Sequence, residues 1–172
     1  IINGVSIYTS NFKPPMRELE VTAETVVLAC QSKTDASLEK TGKTIEINGN
    51  VVASELTPGL LTPVVKSGGG SAITGSVEFT STNDALVLSA GTDFAYGTGD
   101  FTIEAWIQPQ GINGGETKAI FTQTQSGNDY IVFKIDSDKA IKATFGSTTV
   151  SGGTVEVGSW HHVAVTRASN TV

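Results

Sequence analysis

Sulfur and positive charge are scarce in this chain of 172 residues, and each scarcity excludes a class of protein. With one cysteine, Cys30, no disulfide can form within the chain. Cys30 ends an apolar run, residues 26–30, so we predict a reduced, buried side chain rather than a nucleophile. Lysine and arginine number 11 against 17 aspartates and glutamates and form no cluster, which argues against a nucleic-acid partner.

Long apolar runs and a leader-like N-terminus are also missing. No stretch approaches the roughly 18 apolar residues of a membrane-spanning helix, and no charged segment followed by an apolar one opens the chain. The sequence therefore predicts no membrane insertion. Because the chain begins with Ile1 and not methionine, we expect a piece of a longer polypeptide.

Glycine is abundant, with 19 residues, and valine, serine and threonine are frequent, a composition that favours short strands and tight turns over helices. From residue 75 onward, alternating apolar and polar runs recur at the spacing of a β-sandwich. The predicted strands are residues 76–79, 85–89, 101–107, 119–124, 130–135, 140–145, 154–157 and 160–166. The predicted turns between them include residues 126–129, 136–139 and 152–153.

The first part of the chain gives weaker strand signals. Residues 5–9 and 20–30 are predicted strands, and the prolines Pro14 and Pro15 end the first of them because proline cannot donate to a ladder. Asn48-Gly49 separates two β-branched runs and predicts a hairpin. Polar residues 31–43 and the Pro- and Gly-rich residues 57–74 are predicted loops.

Four segments, in order, resemble the laminin G-like, concanavalin A-type lectin and glucanase superfamily. They are GSVEF at 75–79, DALVLS at 84–89, TDFAYGTGDFTIEAWI at 92–107 and WHHVAVTR at 160–167. Residues 26–30 and 43–49 are similar to the opening strands of that family. The resemblance implies an all-β fold, an antiparallel two-sheet jelly-roll sandwich over residues 22–172 that lacks its last strands at the C-terminus.

The N-terminal segment carries a second, narrower resemblance. Residues 1–15 resemble the closing segment of such domains where they occur in tandem in virion proteins of marine bacteriophages, with the strand around Tyr8 leading into a proline-rich exit. This implies that residues 1–21 are the end of a preceding repeat plus a linker. The unpaired backbone groups of an incomplete sandwich suggest an alternative. In it, residues 1–15 of this chain or of an identical neighbour supply a strand to an open edge of the sandwich.

The aromatic and imidazole side chains are weighed between core and binding roles. Trp106 and Trp160 lie in alternating strands, which favours core packing over sugar stacking. The adjacent His161 and His162 must point to opposite faces of one strand, so they cannot hold one ion together. We therefore expect two structural histidines.

Four aspartates on predicted loops are the candidate metal ligands. Calcium prefers hard oxygen ligands on loops, and some members of the superfamily bind it. Turn formation explains these residues more simply, and no other cofactor is predicted. The candidates are Asp93, Asp100, Asp136 and Asp138.

Glu104 is the carboxylate most suggestive of catalysis. Retaining glycosidases use two facing carboxylates, and the positions two residues away from Glu104 are Thr102 and Trp106. No other catalytic motif is found, so the sequence predicts a protein that is not an enzyme.

Two functions remain open. The first is a structural protein on the exterior of a tailed-phage virion, in a fibre, spike or surface decoration, whose partners are other virion proteins and copies of itself. The second is a carbohydrate-binding module for host-surface polysaccharide, in a phage adhesin or a bacterial extracellular protein. Host-surface glycans are thus a further candidate partner, while nucleic acid is not expected.

Overall fold

The computed structural model describes residues 1–15, 19–58, 75–125, 128–169 and 171–172. These residues form eleven short strands and one 3₁₀ turn at Thr92–Phe94. The strands are β1 Ile2–Asn3, β2 Ile45–Asn48, β3 Val52–Ser54, β4 Ser76–Glu78, β5 Ala85–Leu88, β6 Phe101–Ile107, β7 Lys118–Gln125, β8 Asn128–Ile135, β9 Ala140–Phe145, β10 Thr148–Thr154 and β11 His161–Arg167. In this part of the chain, no helix is long and apolar enough to cross a membrane.

Two main sheets carry the fold. One has the strand order β1-β6-β11 and the other the order β10-β9-β8-β7, and all neighbouring strands in both sheets are antiparallel. Two further pairs, β2 with β5 and β3 with β4, are antiparallel as well. The predicted all-β, antiparallel sandwich is confirmed.

The core lies between the two main sheets because alternate residues of each strand point inward. The buried apolar side chains of β6 are Phe101 and Ile103, and those of β8 are Ile131, Phe133 and Ile135. The Phe101 ring meets the Phe145 ring of β9 at 5.4 Å between centroids, which joins the two sheets. This alternation leaves the other face of β6 and β11 free to carry polar residues.

Most predicted strands in the second half of the chain are found within a residue or two of their expected bounds, but β10 is displaced. The prediction placed a turn at residues 152–153 and a strand at 154–157, whereas β10 runs over Thr148–Thr154 and contains both glycines. The register with β9 shifts between Ser151 and Thr154, so the glycines occupy a β-bulge. The turn predicted at residues 136–139 is present between β8 and β9, and residues 126 and 127 of another predicted turn lie outside the described residues.

The hairpin predicted at Asn48-Gly49 is wrong. β2 pairs with β5 and β3 with β4, so residues 45–54 and 76–88 run as one long antiparallel pair, interrupted where residues 49–51 face residues 79–84. Asp84 holds this interruption together, since its carboxylate accepts hydrogen bonds from the backbone N–H groups of Asn50 at 2.7 Å, Thr80 at 2.6 Å and Ser81 at 2.8 Å. These bonds lower the pKa of Asp84, the one from Asn50 most strongly.

Gly49 is required at this interruption by both its conformation and its surroundings. Its φ is +80°, and a Cβ at this position would collide with the carboxylate of Asp84. We expect Gly49→Ala to lower the free energy of unfolding by about 2 kcal/mol, because a side chain is disfavoured at positive φ and the Asp84 carboxylate must also move.

Chemical denaturation of Gly49→Ala measures this effect, with Gly111→Ala as the matched control. A Cβ on Gly111 would meet nothing within 4 Å, and its φ lies outside the left-handed region. Equal stability of the two variants would contradict the role assigned to Gly49.

The first thirty residues differ most from expectation. Residues 5–9 and 20–30 form no strand. The β-type pairing of this region is limited to the short β1 and to isolated bridges such as the one between Ile2 and Thr25. Cys30 is exposed with φ +64°, not buried as predicted, because the backbone turns at this residue while Ala29 still packs against the core. β1 instead pairs with β6, with Ile2 opposite Thr102.

Candidate functional site

The outer face of the three-stranded sheet carries the densest group of polar and aromatic side chains. β6 and β11 are paired so that Glu104 lies opposite Ala164 and Trp106 opposite His162. Since Phe101 and Ile103 point into the core, the alternate residues must point to the outer face. Its six positions are Thr102, Glu104, Trp106, His162, Ala164 and Thr166.

The N-terminal residues cover this face. We call residues 1–12 the docking segment. The Ile7 backbone N–H donates to the Thr102 hydroxyl at 2.9 Å, and the Ser6 and Thr166 hydroxyls lie 2.5 Å apart. The Thr166 hydroxyl also donates to the Tyr8 carbonyl at 3.0 Å. The docking segment is therefore held across both strands.

Glu104 is the centre of the cluster. Its Oε2 accepts a hydrogen bond from the Tyr8 hydroxyl at 2.6 Å and another from His162 Nε2 at 3.0 Å. The side chains of Glu104 and His162 are 5% and 0% exposed. An ionised carboxylate only accepts, so His162 carries its proton on Nε2.

The ionisation of Glu104 and Tyr8 follows from these contacts. Burial alone would raise the pKa of Glu104, but the hydrogen bonds from His162 and Tyr8 outweigh burial, so the pKa is lowered. Burial, followed by the bond to Glu104, raises the pKa of Tyr8. The cluster therefore contains an ionised carboxylate and a neutral phenol over the whole neutral pH range.

The aromatic rings of Phe12 and Trp106 pack against the imidazole of His162, and Phe12 is stacked on Tyr8. The Tyr8 and Phe12 rings are stacked at 3.7 Å between centroids and 14° between planes. His162 meets Phe12 edge-on at 5.6 Å and Trp106 at 5.3 Å. Trp106 Nε1 and His162 Nδ1 are buried and find no hydrogen-bond partner among the described residues.

The predicted core role of the two tryptophans is wrong. Trp106 lies on the face of β6 opposite the core, and Trp160 precedes β11, outside the core cluster of the described residues. The alternating pattern of β6 defines two faces but does not show which of them faces the core. In the structure Phe101 and Ile103 face the core, so Trp106 lies on the other side.

The two histidines behave as their adjacency predicts. His161 Nε2 lies 2.9 Å from the Glu156 backbone nitrogen, while His162 contacts Glu104 on the opposite face. The outer face also carries a single carboxylate among its six positions, so the arrangement lacks the facing pair that a retaining glycosidase uses.

Each of the four calcium candidates has a protein partner in the structure. Asp93 pairs with Lys43 at 2.7 Å, and Asp100 accepts from the Ser169 backbone N–H at 2.8 Å. Asp136 and Asp138 both contact the Lys142 amine, at 2.6 Å and 3.0 Å. Within the described ranges, no group of three or more histidine, cysteine, aspartate or glutamate side chains is placed to hold a metal ion.

A groove of about 580 Å³ lies beside β11, between the two main sheets. Its walls include Phe133, Ile141 and Val150 from the second sheet and Val165 from β11. In the described part of the chain, the edge of β11 away from β6 has no partner strand. The prediction that the last strands of the sandwich are missing concerns this edge and stays a prediction.

The docking segment's role was only partly visible in the sequence. The Tyr8–Glu104 contact joins residues 96 positions apart, and local patterns do not report such a contact. The sequence indicated only that residues 1–15 could supply a strand to an open edge of the sandwich. It did not indicate which residues this segment would contact.

Comparisons with known proteins agree with the architecture. A family model described as the concanavalin A-like lectin/glucanases superfamily matches residues 80–172. Comparison with curated proteins and with solved structures gave no match. The matched residues include both strands of the site, β6 and β11. On its sequence and its antiparallel sandwich, the chain belongs to the concanavalin A-like lectin/glucanase superfamily.

Proposed function

We propose that this chain is a non-enzymatic structural component on the exterior of a tailed-bacteriophage virion, part of a fibre, spike or surface decoration built from repeated sandwiches. The observation that carries the proposal is the covered outer face of the three-stranded sheet. Tyr8 and Phe12 lie over Glu104 and His162, so the polar groups of this face contact protein. A face used in this way serves packing and assembly.

The state of Glu104 supports a role without catalysis. A general acid needs a pKa raised toward the working pH, whereas the pKa of Glu104 is lowered. Its Oε2 already accepts two hydrogen bonds, and its side chain is 5% exposed. A substrate would first have to displace Tyr8.

The virion context rests on the resemblance of residues 1–15 to the closing segment of tandem phage repeats. The net charge of −6 suits an exposed acidic surface, and the antiparallel sandwich suits a repeated building block. The proposed partners are other virion proteins and further copies of this chain.

Immunogold electron microscopy with an antibody against this domain tests the proposal on virions and host cells from a culture in which this chain is produced. We expect gold on the outside of intact particles, and peptides of this chain in the mass spectrum of purified virions. An antibody against an unrelated sandwich domain is the control. Label confined to bacterial cells or to secreted protein, with no peptide in the virions, would refute the virion role.

Carbohydrate binding is the second candidate, and Phe12 is the observation that favours it. Its ring is stacked on Tyr8 while the residue remains 41% exposed, which gives a flat aromatic surface of the kind that sugars stack on. Calorimetric titration with host-surface polysaccharide separates the two candidates.

Phe12→Ala and Phe79→Ala are matched variants for this titration, because Phe79 is also exposed, at 51%. The structural proposal expects no heat of binding from the parent protein. Binding by the parent that Phe12→Ala alone abolishes would favour the carbohydrate-binding module.

A further inference from the structure

Three asparagines of this chain precede a glycine, and they lie in different surroundings. They are Asn3, Asn48 and Asn113. An asparagine before glycine is prone to deamidation, because glycine has no side chain to obstruct attack by its backbone nitrogen on the asparagine side chain. We infer that Asn113 deamidates spontaneously in the folded protein to aspartate and isoaspartate, and that the fold protects Asn3 and Asn48.

The reaction at Asn113 needs only water as a co-reactant. The backbone nitrogen of Gly114 loses its proton to solvent and attacks Cγ of Asn113. The N–Cγ bond forms, the Cγ–Nδ2 bond breaks, and ammonia leaves with a proton from solvent. Water then opens the succinimide ring. Addition at Cγ gives aspartate, and addition at the main-chain carbonyl carbon of Asn113 gives isoaspartate, in which the chain runs through the side chain.

The loop between β6 and β7 leaves Asn113 open to this reaction. Asn113, Gly114 and Gly115 are all exposed. Among the described residues the Gly114 N–H has no hydrogen-bond partner, and a Cβ on Gly114 would meet nothing within 4 Å. The Glu116 N–H donates to the Asn113 carbonyl at 3.0 Å and closes a turn at this point. The attacking nitrogen and its target therefore lie outside the strands and in contact with solvent.

Glu116 is the charged neighbour of the Asn113 side chain. The Lys118 amine, and after it hydrogen bonds from the side-chain amide and backbone N–H of Asn113, lower the pKa of Glu116. The side-chain bond engages Nδ2, the nitrogen that leaves, and not the Gly114 nitrogen. After conversion a second carboxylate lies beside Glu116, so repulsion between like charges replaces this hydrogen bond.

Asn3 is protected because both of its reacting groups are hydrogen-bonded. Its side-chain amide donates to the Asp93 carbonyl at 2.9 Å. The N–H of Gly4, the nitrogen that would attack, donates to the Asp100 carbonyl at 2.8 Å. Asn3 itself is paired with Phe101 of β6. These bonds must break before the Gly4 nitrogen can reach Cγ of Asn3.

Asn48 is protected by the backbone conformation of β2. It lies opposite Ala85 of β5 in an antiparallel pair. Ring closure turns the asparagine backbone away from the extended conformation of a strand, so the reaction would disrupt this pairing. The following Gly49 is packed closely against Asp84, which further restricts the movement that ring closure requires.

Deamidation at Asn113 changes both charge and chain path. Each event adds one negative charge to a chain whose net charge is already −6. Isoaspartate also lengthens the main chain beside Ile112, which packs against the core. On a virion exterior, the location proposed above, no synthesis replaces the converted chains, so the converted fraction rises with the age of the particle. The reaction itself does not depend on that location.

Peptide mapping by mass spectrometry tests the inference on the full chain, incubated for several weeks at neutral pH and physiological temperature. Fragment spectra locate each conversion of amide to acid, and an isoaspartyl methyltransferase assay detects isoaspartate. Gly114→Ala is the matched variant. Its Cβ fits without contact and Gly114 has no positive φ, so the variant keeps the fold while its methyl group obstructs the attack.

In the folded protein we expect Asn113 to convert several-fold faster than Asn3 or Asn48, with isoaspartate among the products and new acidic species on ion-exchange chromatography. Gly114→Ala should slow this conversion several-fold. In guanidinium chloride the rates at Asn3, Asn48 and Asn113 should converge, because the protection comes from the fold.

Conversion at Asn113 that is no faster than at Asn3 and Asn48 in the folded chain would overturn the inference, as would an equal rate in Gly114→Ala. A preference for Asn113 that persists unchanged in denaturant would contradict protection by the fold. These measurements use the isolated chain, so their failure is distinguishable from failure of the virion role, which immunogold labelling tests.

Discussion

Replacing Arg167 with alanine is expected to lower the free energy of unfolding by roughly 3–5 kcal/mol. The guanidinium is buried and donates to the backbone carbonyls of Tyr96 at 3.0 Å and Gly97 at 2.9 Å, and its Nε and Nη2 both donate to Gly99. It also lies 4.8 Å from the centroid of the Phe101 ring. Removing it deprives the Gly97 and Gly99 carbonyls of this donor, while the Tyr96 carbonyl keeps the Gly99 N–H at 2.8 Å, and it leaves a cavity beside the core.

Equilibrium urea unfolding of Arg167→Ala measures the loss. Arg167→Lys keeps the charge without the planar fork of donors and is expected to recover less than half of it. Lys118→Ala is the control, because Lys118 forms an ion pair with Glu116 in which both side chains are substantially exposed, and it should change stability little. A loss below about 1 kcal/mol for Arg167→Ala, the range of an ordinary surface contact, would contradict the role of Arg167.

The second large effect is expected from Glu104→Ala, which should release the docking segment from the sheet and cost roughly 2–4 kcal/mol. The substitution removes the acceptor of Tyr8 and leaves His162 buried without that partner. Hydrogen exchange read by mass spectrometry should show faster exchange in residues 5–12, with β8 and β9 unchanged. Unchanged exchange in residues 5–12 would show that Glu104 does not hold the segment.

Glu104 also makes the free energy of unfolding depend on pH in the acidic range. Because its pKa is lowered in the folded state, its contribution is present above the unfolded value, about 4.3, and is lost as pH falls through the folded value. We expect parent stability to fall across this acidic window more steeply than that of Glu104→Gln. Parallel curves of unfolding free energy against pH would contradict this.

The alternating strands were predictable from sequence because period-2 patterns depend on local chemistry. Phe101, Ile103, Val163 and Val165 repeat at that spacing, and all four are buried on β6 and β11. The same logic placed His161 and His162 on opposite faces. Its limit is Trp106, because alternation defines two faces without naming the inner one.

The failures come from interactions distant in sequence. Asn48-Gly49 is a strong hairpin signal, yet Asp84 binds the backbone of Asn50 and converts the expected turn into an interruption within a longer pair. Beyond the two-residue β1, the docking segment has a weak strand pattern because its attachment depends on side chains such as Ser6 and Tyr8, not on a ladder. A single sequence does not report such pairings.

A cryo-EM reconstruction of the intact particle tests the central claim most directly, by locating this domain and tracing residues 1–12. We predict density for the sandwich on the outer surface, with the Tyr8 and Phe12 rings lying over Glu104 and His162. A particle without this sandwich on its exterior, or a free-standing sandwich whose outer sheet face is open to solvent and bound to glycan, would contradict the account.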